Sequence, residues 1–280
     1  PYTNVLVGQI GLPSALETAD VSGNFPFFAT SLASSAFQLP MGPGVYVTHS
    51  YDKWSLQVAA RQSRFGSNYS VNSPWGASVR VSAAPVMNDK LVVPFGFSYS
   101  FQDVNSSENL PPIAAAEASG RGLRDLSVSL EAKNRMTGVV DFSPQYKSFL
   151  FDSEFYLTQV ALLNPSASGD ESYLLYGGSA SLDWVITGES RAYDVESGTY
   201  GDLSASDNES LGFWDLGVRY SYLNLSTGDI PRIEHNVTGS LSWYPLDAIR
   251  VGAEYVHAMY HEVTGDSQLG VEGVDDVGNY

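Results

Sequence analysis

This 280-residue sequence predicts an all-β fold, a transmembrane antiparallel up-and-down β-barrel, on three observations. Apolar and polar side chains alternate with period two over run after run, aromatic residues collect at the ends of those runs, and charged residues fall on the polar side. The alternation is clearest between Ser210 and Tyr260. There Trp214, Leu216, Val218, Tyr220 and Tyr222 interleave with Asp215, Gly217, Arg219 and Ser221, so a pleated backbone puts the apolar set on one face. Two architectures satisfy such a pattern. In a soluble sandwich the apolar face meets a second sheet, whereas in an outer-membrane barrel it meets lipid and the polar face lines a water-filled lumen. End-of-strand aromatics, a short connection next to long ones, and charges on the polar face favour the barrel.

The elements follow in order. Asn4 to Gly11 reads as a short strand, and residues 14–41 as a long Ser-, Ala- and Phe-rich loop with a helical turn after an N-cap serine at Ser14. A loop of that length calls for a role, and two are open: folding into the lumen to narrow it, or capping it from outside. Val45–Ser50 and Trp54–Gln62 form a hairpin across the three-residue turn Tyr51-Asp52-Lys53, with Trp54, Leu56 and Val58 outward and Ser55, Gln57 and Arg61 inward. After a loop at 63–74, Trp75–Ala83 and Leu91–Phe101 pair across Met87-Asn88-Asp89-Lys90, and Arg80 points inward. Pro94 cannot donate to a ladder, so a bulge is expected there. A second long loop covers 103–120.

From Leu123 to Lys133 the pattern places Leu126, Val128 and Leu130 outward and Asp125, Glu131 and Lys133 inward. Val139–Phe142 leads through Ser143-Pro144-Gln145-Tyr146 into Phe149–Leu162, with Asp152 and Glu154 inward, and then Ser172–Thr187, with Asp183 inward. Residues 188–209 form a long polar loop. Three strands close the pattern, the last two joined at Pro245-Leu246-Asp247-Ala248, and they carry Asp215, Arg219, Glu234, Arg250 and Glu254 on the polar face.

Three phrases then carry a family likeness. Leu211-Gly-Phe-Trp-Asp-Leu-Gly-Val-Arg-Tyr-Ser-Tyr-Leu-Asn-Leu225, His235-Asn-Val-Thr-Gly-Ser-Leu-Ser-Trp-Tyr-Pro245 and Arg250-Val-Gly-Ala-Glu-Tyr-Val-His257 resemble the C-terminal strands of the phosphate-selective porins of the O and P type. Trp184-Val-Ile-Thr-Gly-Glu-Ser-Arg-Ala-Tyr-Asp194, with Gly188, Glu189, Arg191 and Tyr193, resembles that family's most recognisable segment. The resemblance implies a sixteen-stranded homotrimeric anion channel of the outer membrane, set in lipid and lipopolysaccharide and passing phosphate, polyphosphate or other small hydrophilic solutes. At roughly 23 residues per strand and connection, 280 residues hold about twelve strands. Residues 1–280 are therefore expected to be a single barrel domain incomplete at both ends. Two basic positions of the family pattern are absent, since Gly11 stands at one and Met41-Gly42-Pro43-Gly44 at the other.

Charge bears on what passes. The net charge is −17, which argues against nucleic-acid partners. Acids such as Asp194, Glu196, Asp202, Asp207, Glu209, Asp266, Glu272, Asp275 and Asp276 fall in loops, where they read as a solvated rim rather than as bridges through divalent cations to lipopolysaccharide. An anion path needs fixed positive charge along a narrow route, and arginine suits phosphate because its planar fork bonds two oxygens. The basic candidates are Arg61, Arg80, Lys133, Arg219 and Arg250, and Asp125, Glu131, Asp141, Asp152, Glu154, Asp183, Asp215, Glu234 and Glu254 oppose them. This predicts a net acidic lumen, with each arginine paired to a wall carboxylate, and a general, cation-tolerant diffusion channel. Glu189 and Arg191 read as charges that pin a loop to the wall.

No catalytic, cofactor or metal site is expected. His257 and His261 lie four residues apart on a strand, about 13 Å, too far to share one metal. No nucleophile elbow or phosphate-cradling glycine loop occurs. A plugged adhesive barrel and a soluble carbohydrate-binding module remain as alternatives, the second disfavoured because Trp54, Trp75, Trp184, Trp214 and Trp243 all sit on strands.

Overall fold

The computed structural model describes residues 1–19, 26–39, 41–62, 75–104, 113–115, 117, 126–166, 168–201, 203, 212–228, 230–246 and 249–262. Asp125, Asp247 and the loop acids Asp202, Asp207, Glu209, Asp266, Glu272, Asp275 and Asp276 lie outside them. The order is β1 (Tyr2–Ile10), α1 (Leu16–Ala19), α2 (Leu32–Phe37), β2 (Gly42–Tyr51), β3 (Trp54–Gln62), β4 (Trp75–Met87), β5 (Leu91–Asp103), β6 (Ile113–Ala115), β7 (Leu126–Val128) and β8 (Ala132–Phe142). It continues with β9 (Gln145–Tyr146), β10 (Phe149–Leu162), β11 (Ser172–Val185), β12 (Tyr193–Asp194), β13 (Thr199–Tyr200), β14 (Phe213–Asn224), β15 (Arg232–Leu246) and β16 (Ile249–Glu262).

One 12-stranded antiparallel sheet contains nearly all of these strands, in the order β1-β2-β3-β4-β5-β8-β10-β11-β14-β15-β16, with short β9 pairing β5 and β10. Neighbours in space are neighbours along the chain, apart from the β6–β7 and β12–β13 pairs, which lie in the connections. Among the described residues no ladder joins β1 to β16. Tight turns gather at one edge: Asp52 takes a left-handed φ of 50°, and Asn88 Oδ1 accepts from the backbone N–H of both Lys90 and Leu91 at 3.1 Å. Longer connections leave the opposite edge, between β1 and β2, β3 and β4, and β5 and β8.

The sheet is inverted with respect to a water-soluble one. On β14, Val218 is 50 % exposed while the next residue, Arg219, is 3 % exposed, and the same alternation of bare apolar and covered polar side chains repeats on β3, β4, β5, β10 and β15. An apolar outer face bounded by aromatics is what hydrocarbon and its two interfaces select. At the tight-turn edge Phe149 stacks on Trp184 at 5.6 Å and Trp214 on Trp243 at 5.8 Å; at the other edge Trp75 meets Phe101 at 5.2 Å and Tyr222 meets His235 at 4.9 Å.

Two register shifts matter. Opposite Pro94 the ladder skips from Ala83–Phe95 to Val86–Val93, so the irregularity expected at the proline is absorbed by Ala84 and Pro85 across from it. The other shift, where Ala161 pairs Asn134 but Leu162 pairs Ala132, makes Lys133 the extra residue of a bulge and reverses the phase before it. Lys133 and Glu131, expected inward, are therefore exposed, while Leu126 and Val128, expected outward, are buried. They leave the wall as β7 and join an apolar cluster with α2 on the inner face.

Glycines on the inner face mark where large groups cross it. A Cβ built on Gly96 would lie 2.5 Å from Asp141 Oδ2 and 2.8 Å from Arg80 Nη2, because the buried Arg80–Asp141 pair passes directly over that residue. Breaking a buried ion pair costs about 3–5 kcal/mol, so Gly96→Ala should destabilise the protein by up to that amount, read as a fall in thermal midpoint in detergent. Unchanged stability would show that the pair does not need the gap.

Candidate functional site: the charged inner wall

The connection between β1 and β2 lies against the inner wall. Ser31 caps α2 with its Oγ, and Leu32, Ala33, Ala36 and Phe37 are buried against Tyr156, Val160, Leu175 and Leu223. Small inner-face residues make room for it: a Cβ on Gly177 would meet Ala33 at 3.0 Å, one on Gly217 would meet Pro26 at 3.0 Å, and one on Gly252 would meet Phe28 at 2.9 Å. Polar contacts then fix its level. Arg219 Nη2 donates to the Ala29 carbonyl at 2.9 Å with its guanidinium 4.2 Å from the Phe27 ring, and the Arg250 guanidinium lies 4.1 Å from the Phe28 ring. The Phe28 N–H donates to Glu254 at 2.8 Å.

Glu17 ties this loop to the wall at a second point. Its carboxylate accepts from the Ser31 hydroxyl at 2.7 Å and from Arg219 at 3.1 Å, and its own N–H donates to Glu154 at 2.9 Å. Burial outweighs the attraction of Arg219 and raises the Glu17 carboxyl above its ordinary range. Tyr156 donates to the other oxygen of Glu154 at 2.8 Å.

Sequence reasoning missed Glu117. This carboxylate enters from the connection between β5 and β8 and accepts from Arg219 Nε at 2.6 Å, Thr238 at 3.0 Å, Asn236 at 3.0 Å and Ser221 at 3.2 Å. Its only signal in the sequence is a carboxylate within Ala114-Ala-Ala-Glu-Ala118, where a surface loop would not need one. Arg219 thus receives carboxylates from two separate connections.

A third connection enters from the tight-turn edge, between β11 and β14. After Gly188, at a φ of 103°, the chain turns inward and buries Arg191. Arg191 is ion-paired to Asp183, and to Asp215 at 2.6 Å. Its carbonyl accepts from Gln145 at 2.8 Å, and its N–H donates back to the same carboxamide at 3.2 Å. Further along, Tyr200 donates to the Ser143 carbonyl at 2.7 Å, and the Ser197 carbonyl accepts from Gln57 on β3 at 2.7 Å. Tyr193 packs on Tyr200 at 5.3 Å, and burial pushes its phenol up to about 12. One connection therefore touches β3 and also β14, six ladder steps away, which requires a strongly concave inner face.

The wall's remaining charges divide into two groups. Arg80 makes a bidentate pair with Asp141, at 2.6 and 3.0 Å, and is wholly buried. Arg61 and Arg135, at 3 % and 6 % exposure, meet no carboxylate among the described residues: Arg61 donates to the Gln62 carbonyl at 3.2 Å, and Arg135 to Gln102 at 3.0 Å. Arg135 was also absent from the sequence expectation, which took Lys133 instead. Asp152, Glu154 and Glu234 lie buried on the same face.

The comparisons with known proteins agree with this geometry. The family model for phosphate-selective porin O and P matches residues 2–272. Over 100 residues the chain is 28 % identical to Porin O of Pseudomonas aeruginosa strain PAO1, a stretch that covers 31 % of this chain and 22 % of that protein. With nearly its whole length matched, and with a wall that is apolar outside and charged inside, this chain belongs to the phosphate-selective porin O and P family of the outer membrane.

Proposed function

We propose that the protein forms a water-filled channel through the outer membrane for passive diffusion of small hydrophilic solutes. The observation that carries this reading is the inverted wall, with Val218 bare and Arg219 covered on successive residues of one strand. Lipid and lipopolysaccharide surround the apolar face in this reading, and a homotrimer is the assembly the family likeness suggests. Catalysis has no part in it.

Ion preference is the finer question, and charge pairing bears on it. Arg80, Arg191 and Arg219 are bonded to Asp141, to Asp183 and Asp215, and to Glu17 and Glu117. Paired guanidiniums attract a passing anion weakly, because their field is cancelled at short range. Asp152, Glu234 and Glu254 add negative charge to the same face. The reading that follows is a general diffusion channel tolerant of cations, with phosphate passage depending on the arginines left over.

Planar-bilayer recording of the full-length protein tests both parts. Discrete conductance steps are expected, with a reversal potential in a potassium chloride gradient that has the sign of potassium preference; a silent bilayer overturns the channel, and chloride preference overturns the ion reading. Arg219→Ala should leave Glu17 and Glu117 buried without their cation, a cost of about 3–5 kcal/mol. The first connection should then detach from the wall, so the variant is expected to show a larger and noisier conductance; wild-type steps would mean that Arg219 does not hold this connection in place.

A further inference from the structure

Where the first connection crosses the wall, four carboxyls gather around two guanidiniums. Glu154 on β10 stands directly opposite Asp141 on β8, the Glu17 N–H donates to Glu154 at 2.9 Å, and Glu117 joins the cluster through Arg219. Like charges directly opposite each other weaken a ladder, and burial sharpens the cost. Both cations are already committed. Arg80 makes its bidentate pair with Asp141, and Arg219 is divided between Glu17 and Glu117.

Elimination leaves Glu154. Glu117 accepts from four side chains, and Glu17 accepts from Arg219 and from both the N–H and the hydroxyl of Ser31. Glu154 meets no cation among the described residues, since its oxygens face only the Glu17 N–H and the Tyr156 hydroxyl. The titratable and charged groups near enough to act on it are Glu17 from the connection, Asp141 on β8, Arg80 on β4 and Tyr156 on its own strand, with Arg219 and Glu117 behind Glu17. Beyond the Tyr156 hydroxyl lies Ser34 of α2, whose buried Oγ is left over when that hydroxyl donates to Glu154.

We propose that Glu154 is a proton-binding site that latches the first connection to the wall: as a neutral acid it donates to the Tyr156 oxygen, and Tyr156 donates in turn to Ser34 of α2. Loss of the proton turns the first bond round, takes the donor away from Ser34 and sets a carboxylate against Glu17 and Asp141. With the connection released, Glu154 faces water and ionises in the ordinary carboxylate range, so docking takes up one proton and weakens as pH rises. Docking itself does not depend on conduction; only the effect of the latch on current rests on the channel reading above.

Hydrogen–deuterium exchange of the full-length protein in detergent tests this, read by mass spectrometry on a peptide spanning α2 (Leu32–Phe37) and divided by the intrinsic exchange rate at each pH. Protection of α2 should fall by up to tenfold per pH unit from about pH 5 and level off by about pH 9, the slope of one proton, while a peptide from β3 (Trp54–Gln62) stays protected throughout. Glu154→Gln reproduces the neutral acid and should hold α2 at its low-pH protection across the range. Glu17→Gln removes one neighbouring carboxylate and should keep the fall but end it at lower pH. Ser34→Ala, which deletes the last acceptor of the relay, should lower protection at pH 5 towards the alkaline value. A flat wild-type profile, a fall that persists in Glu154→Gln or vanishes only in Glu17→Gln, or a Glu154→Gln chain that does not fold overturns the latch. A silent bilayer with the exchange profile intact would remove the channel and leave the latch standing.

Discussion

Charge neutralisation inside a wall that faces hydrocarbon outside is the constraint on which this structure depends. Period-two alternation sorts apolar residues to the outer face without any help from long-range contacts, but it also drives every charged strand residue to the inner face. Buried there under connecting segments, a charge is costly unless another group answers it. The strands can do this for themselves only when opposite charges fall in neighbouring ladders with nothing between. Arg80 and Asp141 manage it because Gly96 separates them.

Elsewhere the connections supply what the wall lacks. Each inward segment docks with the sign opposite to its landing point: Arg191 meets the wall carboxylates Asp183 and Asp215, whereas Glu17 and Glu117 meet the wall cation Arg219. Electrostatics therefore specifies position, and packing of Ala33, Pro26 and Phe28 into glycine hollows on β11, β14 and β16 fixes depth. The two effects are complementary in range. An ion pair guides a long connection to the correct strand, and an apolar contact at van der Waals distance holds it at one height.

The wall was legible in the sequence because its rule is local. Alternation alone places Arg61, Arg80, Asp152, Glu154, Asp183, Asp215 and Arg219 on one face, as their burial shows. It failed where one residue breaks the count. The bulge at Lys133 reverses the face of everything before it, so Glu131 and Lys133 moved outward and Arg135 took the inner position. Glu117 and the partners of Arg191 were illegible for a different reason, since contacts such as Arg219 to Glu117 join positions 102 residues apart and follow no period. Pro94 shows an intermediate case: the proline announces that the ladder is disturbed, but which strand absorbs the extra residue depends on the pairing partner.

Glycine beside an arginine thus has two opposite consequences in the same sheet. Beside Asp141, Gly96 removes an obstacle and lets a cation and an anion meet, which lowers the local field. Beside Arg61, Gly44 and Gly76 remove neighbours from both sides, and among the described residues no anion takes their place, which leaves the field in place. A fold that pairs most of its arginines can keep a few without a carboxylate partner at a tolerable cost, and the position of its small residues decides which few.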